Sequence, residues 1–369
     1  MVKAEQAGLG RTETPQRGVV ARGVARWTGN IILVAVSLSL ALGLAEVYFR
    51  LFDPQSIVPR YVEVSGYGIR KNIGNVRGVM STTEFRHGFS TNAQGFRGRT
   101  DYAPAKPPGT YRVIVLGDSV ALGHGVEDDE TFSAVAEREL RTVRPVEVIN
   151  MGVSGFGTAE ELIQLDQIGW SYRPDLVVLT YFPNDPYNNV VSQLYSVSGE
   201  RLVRNREAFE PALYIRDRLY SIPGYALLCD HSHVVNFLRS RFSAFFLEYL
   251  GRRHRTSAEI RTNLTEDEAR LTRLLLDRVA AEAEARQVPL VILNVPVIQK
   301  GRVVQNFPDN AVPPGRAGAI LVDVAADVYR GHPVEALAYE QDCHPKPFGH
   351  RLIAQELARV IRSRHWVER

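Results

Sequence analysis

The sequence has 369 residues, of which 45 % are hydrophobic and 23 % charged, as expected for a globular protein of one large or two ordinary domains. Its net charge of +3 resides in the first 28 residues and the rest of the chain is balanced, which argues against a nucleic-acid-binding protein. Two cysteines without a CxxC motif exclude a fold held together by a disulfide framework.

A basic N-terminal tail precedes a long apolar segment. Residues 27–45 contain no charged side chain, and as a helix they would measure about 28 Å, close to the thickness of a bilayer core. The positive-inside rule places the tail in the cytoplasm and everything after Glu46 outside. We therefore expect a cytoplasmic tail at 1–28 and a transmembrane anchor at 29–49. A cleaved signal peptide ending near 43–45 and a buried helix of a soluble protein are the alternatives.

The pattern changes at residue 111. Residues 50–110 are rich in Gly, Arg, Asn and Thr and end in a proline-rich stretch, which predicts a connecting region with a short strand or two. Beyond them, short apolar runs alternate with helical patterns. Strands are predicted at 111–117, 146–152, 174–182, 289–296 and 319–324, and helices at 129–143, 158–170, 265–287 and 348–364. Strands that are apolar on both faces indicate a parallel sheet covered on two sides, a three-layer α/β/α domain at 111–369.

An insertion at about 186–256 interrupts this alternation. It contains aromatic and basic stretches, and residues 233–250 are predicted to be helical. We expect this helix to cover the rim of the sheet, with contact to a membrane as the alternative. Thr158 is the predicted cap of one neighbouring helix, and Thr265 with Glu268 has the spacing of a capping box at the start of another.

Candidate functional groups, either polar side chains or glycine-rich backbone, follow four of the predicted strands. Ser119 in GDSV follows the first, the glycine-rich segment 150–157 the second, Asn184 in FPND the third, and Asp342 with His344 the last. Because the carboxyl ends of parallel strands meet at one edge of a sheet, we expect these groups to converge. A hydroxyl, an imidazole, a carboxylate and amide donors are the components of an acyl-transfer site.

The Asp342 to His344 spacing suits a hydrogen-bonded pair. In an extended segment residues i and i+2 lie about 6.5 to 7 Å apart on one face, so the carboxylate reaches Nδ1 and leaves Nε2 for Ser119. Pro345 disfavours a helix here. The side chain of Cys343 would then point away from the site, and a disulfide between Cys343 and Cys229 is a further hypothesis.

The blocks VLGDSV, NMGVSGFG, YFPND and DCHPKPFGH, in this order, resemble those of the SGNH (GDSL) hydrolase family. The resemblance covers roughly 111–365 without the insertion, and it implies a flavodoxin-like SGNH fold and a serine-dependent reaction. It implies the following roles: nucleophile Ser119, base His344, orienting acid Asp342, and oxyanion-hole residues Gly155 and Asn184 together with the Ser119 N–H. Gly152 remains an alternative to Gly155.

Two positions depart from the usual family pattern. Phe182 stands where Gly usually precedes the asparagine by two residues, and the acid precedes the histidine by two residues rather than three, where Gln341 stands. The shorter spacing looks like the variant found in extracytoplasmic members that modify O-acetyl groups of polysaccharides. We therefore expect a single-pass, periplasmic esterase or O-acyltransferase acting on such a polysaccharide without a cofactor. A lipid or thioester hydrolase and a non-catalytic carbohydrate-binding or assembly protein are the alternatives.

The remaining candidate residues are interpreted as structural. Asp118 and Asp185 are expected at turns or caps, His124 in a loop, and His350 at a helix start. Two groups could supply metal ligands, but neither has a familiar zinc spacing and no metal is expected. These groups are Asp342, His344 and His350, and Cys229, His231 and His233.

Overall fold

The computed structural model describes residues 16–208, 213–249, 263–311 and 319–368. Its first element is helix α1 (Gln16–Phe52), which extends beyond the predicted anchor at both ends. The segment Trp27–Phe52 is long and apolar enough to cross a membrane, and its most apolar part is not buried inside the protein. The helix is therefore not the buried core helix of a soluble protein.

The region at 50–110 is more ordered than its composition suggests. It forms four strands in two antiparallel hairpins: β1 (Val62–Val64) with β2 (Arg70–Asn72), and β3 (Arg77–Ser81) with β4 (Arg86–Ser90). Met80, Phe85 and Phe89 bury their side chains against Leu122 of the main domain. These two hairpins, residues 62–72 and 77–90, are thus packed onto the domain rather than acting as an open connection.

The main domain alternates strands and helices from residue 111. Its elements are β5 (Tyr111–Gly117), α2 (Ser119–Leu122), α3 (Phe132–Leu140), β6 (Val146–Asn150), α4 (Thr158–Gln167), β7 (Leu176–Tyr181), α5 (Asp185–Ser192), β8 (Tyr195–Ser198), β9 (Arg201–Arg204), α6 (Leu213–Tyr220), α7 (Tyr225–His231), α8 (His233–Tyr249), α9 (Glu266–Ala285), β10 (Leu290–Asn294), β11 (Val297–Gln299), β12 (Arg302–Val304), β13 (Ala319–Asp323), α10 (Val334–Leu337) and α11 (Pro347–Ser363).

The predicted parallel sheet is confirmed. Its five strands lie in the order β13-β10-β7-β5-β6, and each neighbouring pair is parallel. Numbered along the chain, this is the order 2-1-3-4-5 of flavodoxin-like sheets. In such an order the chain connections reverse direction next to the first strand, β5. The site residues predicted from the sequence lie at the carboxyl end of this strand.

Helices cover both faces of the sheet because strand residues alternate between two cores. Val113 and Val115 of β5 face one core together with α3 and α11, whereas Ile114 and Leu116 face the other with α4 and α9. All seven residues of β5 are buried. This explains why residues 113–116 form a continuous apolar run, and it confirms the three-layer α/β/α architecture.

Helix starts agree with the sequence in one case and differ in another. Thr265 and Glu268 form the predicted capping box of α9. At α4 the N-cap is Gly157 rather than Thr158, because the Glu160 side chain turns back and accepts the Gly157 N–H at 3.0 Å. The α4 cap predicted from the sequence is therefore wrong by one residue.

The described part of the insertion packs differently from the cover over the rim of the sheet that was expected. Its first helix, α5, packs on α9 and α4 and belongs to a helical layer of the domain. Helix α8 packs instead against α1 and α7, with the rings of Phe237 and Phe49 4.7 Å apart. Within the predicted boundaries, residues 209–212 and 250–256 lie outside the described residues. The described part of the insertion thus contacts the membrane-anchor candidate.

Candidate active site

Ser119 lies at the carboxyl end of the central strand β5. Gly117 ends the strand with φ +149°, and a Cβ there would lie 2.6 Å from the Ala121 Cβ. Asp118 then caps the short helix α2 by accepting the Val120 N–H at 2.8 Å. Ser119 is partly exposed although both of its neighbours are buried, so its hydroxyl reaches the surface at this edge.

Three of the predicted site residues form one hydrogen-bonded chain. His344 Nε2 lies 2.8 Å from Ser119 Oγ, and His344 Nδ1 lies 2.6 Å from Asp342 Oδ1. The His344 and Asp342 side chains are 14 % and 23 % exposed. This is the arrangement in which an imidazole can remove a serine proton while a carboxylate orients the ring.

The backbone that presents Asp342 and His344 is a tight turn, not the extended segment expected from the sequence. Cys343 adopts a left-handed conformation with φ +61°, and the Tyr339 N–H donates to the His344 carbonyl at 3.0 Å. The turn brings the side chains of Asp342 and His344 together. The sequence had predicted that an extended segment would do this. Cys343 is buried in the core on the α11 side, and no disulfide joins it to the buried Cys229.

Glu84, in the turn between β3 and β4, holds the loop that carries Asp342. Its carboxylate accepts the backbone N–H groups of Glu340, Gln341 and Asp342 at 2.9, 3.0 and 2.7 Å. Three hydrogen bonds to one side chain fix the position of this loop. Sequence reasoning did not identify this residue, since its partner lies more than 250 positions away.

His124 is a second neighbour of Asp342. Its Nε2 lies 3.5 Å from Asp342 Oδ2, its ring centroid lies 4.7 Å from that of His344, and its side chain is 15 % exposed. His124 lies in a turn, as expected, but its contact with Asp342 was not predicted from the sequence. The available signal was its position only five residues after Ser119, which confines it to the same edge of the sheet.

The pKa values of these groups shift in the directions that general-base chemistry requires. Burial lowers the pKa of His344, but the hydrogen bond and charge of Asp342 together raise it above its ordinary value. Burial raises the pKa of Asp342, but hydrogen bonds with His124 and His344 outweigh it and hold that pKa well below its usual range. Burial lowers the pKa of His124. At neutral pH Asp342 is thus ionised and His124 uncharged.

The two glycines considered for the oxyanion hole differ in their amide groups. The Gly152 N–H donates to Asn150 Oδ1 at 3.0 Å, and a Cβ on Gly152 would lie 2.4 Å from the Leu122 backbone nitrogen. Within the described residues, the N–H groups of Gly155 and Ser119 donate to no protein acceptor. Gly152 is thus required for close packing, whereas Gly155 and Ser119 retain open donors.

Asn184 is linked to Ser119 through the side chain of Asp118. Its Nδ2 donates to Asp118 Oδ2 at 3.1 Å, and Ser119 Oγ lies 3.5 Å from the same oxygen. A primary amide carries two N–H donors, so a second one remains for a substrate oxygen. Asn184 and Gly155 are both partly exposed, as is Ser119.

The first hairpin, residues 62–72, supports the loop that carries Gly155. Arg70 of β2 donates to the Gly155 carbonyl at 2.5 Å and pairs with the buried Glu160 at 2.9 Å. Asn72 donates to the Gly152 carbonyl at 2.9 Å. The region predicted only as a connection therefore contributes to both loops that frame the site.

Phe182 fills the position where the resemblance led us to expect glycine. Its ring is buried and stacks on the His344 ring, with centroids 6.1 Å apart and an interplanar angle of 25°. An aromatic ring at this place supports one face of the imidazole. The departure from the family pattern thus has a structural role beside the proposed base.

Three buried carboxyl groups lie behind Ser119. Burial raises the pKa of Asp118, and burial together with mutual repulsion raises the pKa values of Glu161 and Asp185 well above the usual range. Sequence reasoning missed Glu161, because α4 has one clear apolar stripe although Thr158–Leu165 are all buried.

The remaining predicted candidates lie outside this arrangement. His350 is fully buried and accepts the Phe132 N–H at 3.3 Å, while burial lowers its pKa to about 3. It links α11 to α3, in agreement with the structural role predicted for it. His233 Nδ1 accepts the Gln55 N–H at 2.8 Å and thus contacts the end of α1.

A different set of three side chains could meet around a metal ion. One ligand atom from each of His124, Asp342 and His344 lies within 4.8 Å of the others. However, both nitrogens of His344 already have hydrogen-bond partners in Asp342 and Ser119. The observed geometry therefore fits a proton-transfer chain better than a set of metal ligands.

Neither a known family profile nor a curated protein matches this sequence. Solved structures with a similar fold include an esterase from Pseudoalteromonas sp. (12 % identity, 70 % of this chain and 99 % of that chain, TM-score 0.38). They also include a lipase/acylhydrolase from Enterococcus faecalis (15 %, 69 % and 96 %, 0.37). A third is an acetylxylan esterase from Geobacillus stearothermophilus (14 %, 68 % and 94 %, 0.35).

Proposed function

We propose that this protein is a membrane-anchored, serine-dependent ester hydrolase or O-acyltransferase of the SGNH type. The observation that carries the proposal is the continuous chain from Ser119 Oγ through the His344 ring to Asp342, with bonds of 2.8 and 2.6 Å. Two open backbone donors and an amide donor accompany it, at Ser119, Gly155 and Asn184. A binding protein needs no such combination, which favours an enzyme over the carbohydrate-binding alternative.

In the proposed reaction His344 Nε2 takes the Ser119 proton as Oγ attacks an ester carbonyl. The carbonyl oxygen becomes an oxyanion that accepts hydrogen bonds from Ser119 N–H, Gly155 N–H and Asn184 Nδ2. His344 then gives the proton to the departing alcohol, and Ser119 remains acylated. Water or a sugar hydroxyl, deprotonated by His344, releases the acyl group, and Asp342 stabilises the imidazolium in both steps.

For the substrate we propose O-acetyl groups on an extracytoplasmic, periplasmic polysaccharide. The apolar helix at Trp27–Phe52 supports attachment to a membrane, and the basic tail supports a cytoplasmic N-terminus. Partial exposure of Ser119, Gly155 and Asn184 at one edge supports access for a bulky chain. The proposed mechanism requires no cofactor or metal ion.

The first test replaces the proposed nucleophile. Ser119→Ala should reduce hydrolysis of p-nitrophenyl acetate by about 10³-fold or more, because no covalent intermediate can form. Ser171→Ala is the matched control: this exposed serine precedes β7 and therefore lies at the opposite edge of the sheet. The control should retain full activity, and wild-type activity in the Ser119→Ala protein would refute the role of Ser119.

Labelling distinguishes an enzyme from a binding protein. A fluorophosphonate should form an adduct on Ser119 of the wild-type protein and none on the Ser119→Ala protein, as judged by mass spectrometry of the peptides. Absence of an adduct in wild type would favour a non-catalytic protein on the same fold.

Two further measurements refine the substrate. Activity should fall as the acyl chain of the p-nitrophenyl ester lengthens if acetyl groups are the substrate, whereas a preference for long chains would favour a lipid hydrolase. Acetate release into water, compared with acetyl transfer to an added glycan, separates hydrolysis from acyl transfer.

A further inference from the structure

Helices α6–α8 expose an unusual number of large apolar side chains. These side chains are between 39 and 68 % exposed: Tyr214, Ile215, Leu219 and Ile222 in and after α6, Leu227 and Leu228 in α7, and Leu238, Phe242 and Phe245 in α8. An exposed apolar surface of this kind marks contact with another apolar phase. We refer to these nine residues as the apolar platform.

The α8 part of the platform forms one continuous face. Leu238, Phe242 and Phe245 are four and three residues apart, which places them on the same side of a helix. A neighbouring side of α8 is occupied, because Phe237 packs on Phe49 of α1. The α8 part of the platform is therefore an exposed side of a helix that already contacts the membrane-anchor candidate.

The contact between α1 and the junction of α7 and α8 lies at a defined position along α1. Glu46 is the first charged residue after the uncharged run, and its carboxylate accepts the N–H groups of His233 and Val234 at 3.0 Å and the Ser232 hydroxyl at 2.8 Å. Arg50 donates to the His231 carbonyl at 2.6 Å. These bonds place the junction of α7 and α8 at the level where the apolar run ends, which is the boundary of a bilayer core.

The charges around the platform suit a membrane surface. Residues 213–245 contain four arginines and two aspartates. The arginines are Arg216, Arg218, Arg239 and Arg241. Basic residues flanking an apolar helical face are the pattern of helices that lie in the headgroup region of a bilayer.

We propose that α6–α8 lie in the headgroup region of the lipid bilayer beside α1, with the apolar platform inserted among the acyl chains. This inference rests on the proposed membrane anchoring of α1. A second copy of the chain could also cover an apolar face, but the direct continuity with α1 and the excess of arginine favour phospholipid.

The platform is connected to the candidate active site through the first hairpin, residues 62–72. Arg60 pairs with Asp217 of α6 at 2.9 Å, and Arg216 of α6 donates to the Val62 carbonyl. Arg70 of the same hairpin donates to the Gly155 carbonyl. An immersed platform would therefore set the distance and orientation of the catalytic edge relative to the membrane surface.

The test measures depth with the full-length protein in vesicles of phosphatidylcholine and phosphatidylglycerol. Phe242→Cys and Leu227→Cys, each labelled with a fluorophore, report on the platform. Leu38→Cys in α1 reports on the anchor, and Leu321→Cys, an exposed apolar residue on the edge strand β13, is the matched control. Wild-type protein, whose two cysteines are buried, gives the labelling background.

Phosphatidylcholine brominated near the headgroup should quench the Phe242 and Leu227 labels by about half or more, because interfacial helices lie ~5–10 Å deep. Lipid brominated near the chain end should quench the Leu38 label more strongly, and neither lipid should affect the Leu321 label. Agreement of the two platform variants guards against disturbance of the fold by one substitution.

Three outcomes would overturn the proposal. Quenching at Leu38 without quenching at Phe242 and Leu227 would leave the anchor in place and refute the platform. Protection of these labels from aqueous iodide without quenching by bromine would identify a protein partner instead. Absence of quenching at Leu38 would refute the anchor, and the platform with it.

Discussion

At the scale of single residues, Asp342 and His344 form a pair in which each depends on the other. The carboxylate accepts hydrogen bonds from two imidazoles, which holds its pKa low despite burial. In return its charge overcomes the effect of burial on His344 and raises the pKa of that imidazole. A base with a raised pKa accepts the serine proton more readily but is protonated at a higher pH.

This coupling predicts the pH dependence of activity. The rate should fall as pH is lowered through the pKa of His344, and the midpoint should lie above about 6.5, the ordinary histidine value. Asp342→Asn should lower kcat by about 10³-fold or more and move this midpoint to lower pH, because burial then acts without the opposing carboxylate. Measurements of kcat/KM against pH for both proteins test this.

Asp129→Asn is the matched control for the carboxylate. Asp129 is exposed and lies ten residues after Ser119 in a short helical turn. Its amide variant should keep both the rate and the midpoint of the wild-type protein. An unchanged midpoint in Asp342→Asn would show that Asp342 does not set the pKa of the base.

At the scale of elements, two hairpins outside the α/β/α domain position the catalytic loops. The first supports the Gly155 loop through Arg70, and the second supports the Asp342 loop through Glu84. Neither side chain lies in contact with the proposed reacting atoms. They are positioning residues, and their effect should appear in the orientation of the site rather than in substrate binding.

Removing Glu84 tests this positioning role. Glu84→Ala frees three loop N–H groups, and we expect kcat to fall by about tenfold, equivalent to ~1.4 kcal/mol. KM should stay near the wild-type value, and the acid midpoint should fall as Asp342 loses its fixed orientation. Steady-state kinetics over a range of pH provide both readings.

Glu63→Ala provides the comparison within the same region. Glu63 of β1 pairs with Lys71 across the strand at 3.1 Å, and both side chains are about one-third exposed. Such surface pairs contribute about 0 to 1 kcal/mol, so this variant should behave like wild type. Equal kinetics for the two variants would contradict the positioning role of Glu84.

At the scale of the whole molecule, the proposed anchor would decide where the proposed reaction takes place. The apolar helix ends beside the insertion, and the insertion contacts the hairpins that support the site. The candidate active site is thus connected to the candidate membrane helix through the insertion and the first hairpin. A protein of this design would act on substrates near the membrane surface rather than in bulk solution.

The proposed topology is based on the basic tail and can be measured in spheroplasts. Arg99→Cys, at a 75 % exposed side chain of the main body, should react with a membrane-impermeant maleimide in intact spheroplasts. Lys3→Cys in the tail should react only after lysis, because the positive-inside rule keeps the tail in the cytoplasm. The mass of the extracted protein should include the tail; a soluble form beginning near residue 46 would identify a cleaved signal peptide.

The sequence by itself determined the strands of the sheet, their parallel arrangement and the identity of the groups at their ends. Buried strands contain continuous apolar runs, so local composition reveals them, as at 113–116 in β5 and 290–293 in β10. Ser119, His344 and Asp342 could be proposed in the same way, because the topology brings the carboxyl ends of parallel strands together.

Only the tertiary structure decided which side chains support those groups. Glu84 and Arg70 reach the site from hairpins that carry no strong periodic signal, and His124 meets Asp342 across a gap between loops. The structure also differs from the sequence predictions at two places. The backbone at Cys343 is left-handed rather than extended, and α8 packs on α1 rather than over the rim of the sheet. Contacts of this kind depend on how separate segments pack against each other, which local propensity does not encode.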